Sequence, residues 1–156
     1  MYRNDFDELR RLVEGGVDIN SVDGDGLSLL MNAILVETPS ETAVRLLVDA
    51  GADVNFEDSG QGWTALHFAA RDQNAGIVKL LLEAGARTDS QDMYGNTPLW
   101  RAVMNNNPNL EIVNDLLKFH SDPYCKNLSG VSPIDIAENT QDQATLCVLS
   151  KQGQDN

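Results

Sequence analysis

The chain has 156 residues, 42% of them hydrophobic, and its 24 Asp and Glu against 11 Lys and Arg give a formal net charge of −13. That length and apolar content support a single domain over residues 1–156, with one continuous core and no room for a second. The charge opposes binding to nucleic-acid phosphates and anionic lipid, and it suits either a basic partner surface or plain solubility.

Residues 5–14 read as an amphipathic helix capped by Asn4 or Asp5, with Phe6, Leu9, Leu12 and Val13 on one side and Asp7, Glu8, Arg10, Arg11 and Glu14 on the other. No second helix partners it within residues 5–22, so this segment is either a polar half-unit cap or the remnant of a longer natural chain. In the unit over 23–58, Gly26-Leu27-Ser28-Leu29-Leu30 opens a turn and a short helix. Pro39 then breaks the chain, and Ser40 caps a second helix ending at Gly51. The unit over 59–92 is the clearest. Gly62 opens the turn, Thr64 caps a helix through Ala70, and Ile77, Val78, Leu81 and Leu82 mark the apolar stripe of a second helix ending at Gly85. A third unit, 93–127, ends at His120, where the others have glycine, a position that needs a left-handed backbone. The last, 128–150, is shorter and more polar outside, as a terminal cap should be, and 151–156 form a frayed polar tail.

The glycines opening the four turns, Gly26, Gly62, Gly95 and Gly130, are 36, 33 and 35 residues apart. Leu30 to Gly51 and Leu99 to His120 each span 21 residues, whereas Leu66 to Gly85 spans 19. The first and third units therefore carry longer corners, either tolerated loops or an enlarged rim. This period, with the run Thr64-Ala65-Leu66-His67-Phe68-Ala69, resembles the ankyrin repeat over about residues 4–150. The resemblance implies an all-α solenoid of nine helices in stacked helix-turn-helix units, with projecting turn fingers and no substantial sheet. It also implies that His67 holds neighbouring turns by hydrogen bonds, and that Trp100, at the equivalent position, is core.

No catalytic constellation assembles from these residues. His67 and His120 fall at different levels of the stack, and Asp23-Gly24-Asp25-Gly26 lacks the glutamate of a calcium loop because Ile34 stands in its place. Gly60-Gln61-Gly62 lacks the lysine of a phosphate loop. A non-enzymatic chain without metal or cofactor is expected. The N-terminus has no apolar run of signal-peptide type, and nothing approaches a membrane span, so a cytoplasmic protein with Cys125 and Cys147 as reduced thiols is expected.

The resemblance places partner contacts on residues flanking the turn glycines and ending the first helices. On the fingers these are Asp25, Leu27, Glu57, Asp58, Gln61, Trp63, Asp92, Met93, Tyr94 and Asn96; at the helix ends they are Arg71, Asp72, Met104 and Asn105. A solvent-facing Trp63 beside Tyr94 would be the anchor of an acidic rim, unless the indole folds back on its neighbour. The expected function is that of a protein-binding module, monomeric when free. It would act either as a stoichiometric inhibitor of a basic toxin or effector domain, resembling small acidic bacterial immunity proteins, or as a scaffold or regulatory adaptor for another cytosolic protein.

Overall fold

The structure is a computed structural model that describes residues 3–151, with side chains from residue 7 onward. Among these residues there are nine helices: α1 (Arg3–Glu14), α2 (Leu29–Leu35), α3 (Glu41–Asp49), α4 (Ala65–Arg71), α5 (Ala75–Glu83), α6 (Pro98–Val103), α7 (Leu110–Lys118), α8 (Pro133–Asn139) and α9 (Gln143–Ser150). The one β pairing among the described residues is an isolated bridge between Val22 and Ser28. Because α1 already includes Arg3, Asn4 and Asp5 lie inside it and do not cap it. The side chain expected inward at Phe6, and the tail from 152 to 156, lie outside the described residues.

Each first helix starts at a hydroxyl side chain. Ser28 and Thr97 accept from the backbone N–H three residues on, at 3.3 and 3.2 Å, and Ser132 forms a reciprocal capping box with Asp135. Ser40 and Asn74 do the same for α3 and α5. The helices then stack in two rows. First helices pack in the order α2, α4, α6, α8 and second helices in the order α1, α3, α5, α7, α9. Leu30, Ile34, Leu66, Leu81, Leu99, Leu116 and Leu149 fill the space between the rows and are essentially inaccessible. No pair of helices this short would hold its stripe out of water alone, so stability comes from stacking.

Between the rows, the corners alternate: residues 36–40 and 104–109 are long, 72–74 and 140–142 short. The third corner is tied to the second. Gln73 accepts from the Asn109 backbone at 2.6 Å and donates to the carbonyls of Ala70 and Ala102. On the opposite edge the second helices turn through positive φ at Gly51, Gly85 and, at 69°, His120.

A side-chain ladder joins successive loops there. Asn20 donates to the Gly51 carbonyl and accepts from the Asp53 N–H; Asn55 does the same with Gly85 and Arg87. At the next rung the residue is Asp89, which has no amide to donate. A 3.4 Å bond from Thr88 Oγ1 to the Phe119 carbonyl takes over part of its role.

Candidate functional site

Four fingers project from the first-helix row: residues 23–27, 57–63, 91–96 and 126–131. An acceptor side chain builds each one from its base. Asp23 takes the N–H groups of Asp25 and Leu27; Asp58 those of Gln61 and Trp63; Asp92 those of Tyr94 and Asn96; Asn127 those of Ser129 and Val131, all between 2.7 and 3.2 Å. The second and third fingers, and the third and fourth, are stitched by backbone bonds, Met93 N–H to the Gln61 carbonyl at 2.8 Å and Leu128 N–H to the Tyr94 carbonyl at 2.9 Å, while the first meets the second by close approach of Gly26 to the Ser59 side chain. The third and fourth fingers approach so closely that a Cβ on Gly95, already at φ +77°, would lie 2.9 Å from the Leu128 nitrogen. The four fingers form one continuous edge.

This geometry corrects several expected contact residues. Trp63 is only 5% exposed. Its ring packs 4.9 Å from Phe68 and 6.0 Å from His67, and the guanidinium of Arg101, from the following unit, lies 4.3 Å from its centroid, with that of Arg71 at 5.3 Å. The indole has folded back under two cations, so it is not a solvent-facing anchor. Asp92 is equally unavailable: its side chain is fully buried, ion-paired with Arg101 and bonded by Asn96 Nδ2. Burial raises its pKa, but the bonds from Arg101, Asn96 and Tyr94 outweigh that and hold the carboxyl below its usual range. Asn96 is buried as well, and its Oδ1 accepts from Asn127 Nδ2 at 2.8 Å. Asp58 is half-buried and committed to its own turn.

The other positions face outward to differing degrees. Asp25 and Gln61 are exposed; Leu27 is half-buried; Met93 and Tyr94 are 56% and 53% exposed. Glu57 is exposed in an ion pair with Arg87 at 3.3 Å. At the helix ends Met104 is exposed, Arg71 and Asp72 form a two-pronged exposed pair, and Asn105 donates to the carbonyls of Arg71 and Arg101. Sequence reasoning missed Leu128, which is 81% exposed at the tip of the last finger. Its signal was available, since it stands one place after a finger-base residue, as Met93 does.

His67 holds the second and third units together. The Thr64 N–H reaches Nδ1 at 3.1 Å, and Nε2 lies 3.1 Å from the Asn96 carbonyl. An N–H can only donate and a carbonyl only accept, so the ring is neutral with its proton on Nε2. Burial pushes its pKa down to about 4. Trp100, at the equivalent place, is partly buried against the core, and its indole N–H has no acceptor.

Paired helices in two stacked rows, with a stitched row of turns along one edge, define a helical-repeat solenoid, a class whose edges and faces bind other proteins. The chain belongs to the ankyrin-repeat family: the model for ankyrin repeats in three copies matches residues 1–92 and 30–127. It is 35% identical over 153 residues to the ankyrin repeat protein FPV031 of fowlpox virus (strain NVSL), covering 94% of this chain and 44% of that one. It is 40% identical over 95 residues to the ankyrin repeat and SAM domain-containing protein 6 of Rattus norvegicus, and over 99 residues to the E3 ubiquitin-protein ligase Ufd4 of Drosophila melanogaster. Those matches cover 61% and 63% of this chain but 10% and 3% of the two relatives. The chain thus spans less than half the length of each of these relatives. Ankyrin repeats mediate protein binding, and no helix among the described residues is long and apolar enough to cross a membrane.

Proposed function

We infer that this chain is a protein-binding adaptor, a single stack over the five units set out above, whose finger edge receives a basic surface of another protein. The observation that supports this is the division of labour along the fingers. Asp23, Asp58, Asp92 and Asn127 are used up in building the turns, while Asp25, Gln61, Met93 and Tyr94 between them are left outward with no structural duty. Exposed side chains of variable chemistry on a rigid, stitched scaffold are what recognition needs, and the charge of −13 supplies the preference for a basic partner. The adaptor reading is preferred to that of a toxin inhibitor. The match to the SAM-domain protein and the ubiquitin ligase is to a small repeat segment within a much longer chain, whereas the inhibitor reading draws on net charge, acids on the finger rim and aromatic side chains at its centre, and Asp58, Asp92 and Trp63 are committed to the fold.

The test is capture of partners from the native cell followed by association kinetics. Asp25→Asn with Glu57→Gln should lower the association rate several-fold at low salt, with the difference shrinking as the Debye length falls to about 8 Å. An unchanged rate, or a captured partner whose contact surface is acidic, would remove the reading.

A further inference from the structure

The finger row is polarised along its length. At the first finger, Asp23 at the base and Asp25 at the tip are both exposed and neither is ion-paired; their bonds are to and from neutral groups, so the finger carries two negative charges. At the second finger Arg87 neutralises Glu57, and Asp58, bonded only to N–H groups, leaves one. At the third the half-buried Arg101 neutralises the buried Asp92, and at the fourth the exposed charge is Lys126. The fingers therefore run from doubly negative through singly negative and neutral to positive. Exposed apolar area runs the other way. The first two fingers present no large exposed apolar side chain at their tips, since Leu27 is half-buried and Trp63 is covered. The last two present Met93, Tyr94 and Leu128 side by side, held adjacent by the bond from Leu128 N–H to the Tyr94 carbonyl.

Resting on the reading that this edge binds a basic protein, we propose that its occupant is a two-part segment of that partner: lysines or arginines at one end, lying over the first and second fingers, and apolar side chains at the other, lying over the third and fourth. The argument is charge complementarity together with apolar exposure. Water-exposed methionine, tyrosine and leucine in one contiguous strip mark a surface to be covered, and the neutral or positive charge around them excludes a uniformly basic ligand. The acids at the far end exclude a uniformly apolar one. Helix rows stack at roughly 8–10 Å, so four fingers span about 24–30 Å. That is the reach of about nine extended residues. A second copy of this chain is a poor occupant, because parallel pairing would set acids against acids and antiparallel pairing would set the apolar fingers of one copy against the acidic fingers of the other.

The experiment uses the full chain and two synthetic peptides of about nine residues with identical composition. One has its lysines gathered at one end and its leucines and phenylalanine at the other; the second has them alternating. The segregated peptide should bind about tenfold tighter, because its two halves act together. It should shift the backbone amide resonances of all four fingers, and Met93→Ser, Tyr94→Ser and Leu128→Ser together should erase the advantage while leaving the shifts at residues 23–27 and 57–63. Equal binding of the two peptides at the fingers overturns the polarised row and leaves the basic-partner reading standing. No finger shift with either peptide overturns both, and finger amides that shift with the concentration of the chain itself identify a second copy as the occupant and overturn the proposal.

Discussion

At the scale of single residues, His67 joins three things that its neighbours in sequence do not reveal: a capping contact to Thr64, a bond to the next unit through the Asn96 carbonyl, and a neutral ring at full burial. Burial dominates its titration; the pull upward from Asp92 and Asp58 and the push downward from Arg101 are smaller. With a folded value of about 4 against 6.5 when unfolded, the unfolded chain binds the extra proton between those values, so stability is complete above about 6.5 and falls as the pH drops toward 4. Between pH 7 and 5 the loss should be about 2 kcal/mol. Asp23, Asp92, Asp135 and Asp142 have lowered values and surrender their contributions only below the ordinary carboxylate range, so this window isolates the histidine. Urea unfolding at the two pH values should show the drop in the native chain and little of it in His67→Gln; an equal drop in both would mean that another group is titrating. Trp63 belongs to the same scale. Because its ring is covered, Trp63→Ala should cost about 3–5 kcal/mol of stability, as for a core aromatic, which thermal unfolding would show. A fully stable Trp63→Ala chain would restore the ring to the role of a surface anchor.

The level of the elements shows what the sequence discloses and what it hides. Helix periodicity, hydroxyl caps and turn glycines are local, and they placed all nine helices because the same signals recur in every unit and agree with each other. His120 in a left-handed conformation followed from its alignment with glycines. The misreadings are tertiary. Nothing near Trp63 in sequence says that Arg101, one unit later, will lie over it, and nothing in the charge of Asp58 or Asp92 says that the carboxylate is spent on its own turn. The spacing does say it, since Asp23, Asp92 and Asn127 each stand three residues before a turn glycine, and Asp58 stands four before because its finger carries one more residue. The broken rung of the ladder is also legible only by alignment. Replacing Asp89 with Asn should restore a donor to the loop of the following unit and raise stability by about 1 kcal/mol, one hydrogen bond's net contribution. A urea midpoint that is unchanged or lower in Asp89→Asn would show that the Thr88 bond already completes the junction.

For the molecule as a whole, what builds the stack is distinct from what the stack presents. The construction is repetitive: two rows of helices, a ladder of side chains on one loop edge, and four fingers each folded around its own acceptor. The presentation is not repetitive, because exposed side chains differ from finger to finger while every finger is built around an acceptor side chain at its base. On the proposed function, that contrast is the reason to expect recognition on the finger edge rather than on the outer faces of α3, α5 and α7. The direct measurement is an amide hydrogen-exchange footprint of the chain bound to a captured partner. Slowed exchange concentrated in residues 23–27, 57–63, 91–96 and 126–131, with the outer helices unchanged, is the predicted result; slowed exchange on α3, α5 and α7 with the fingers unaffected would contradict it.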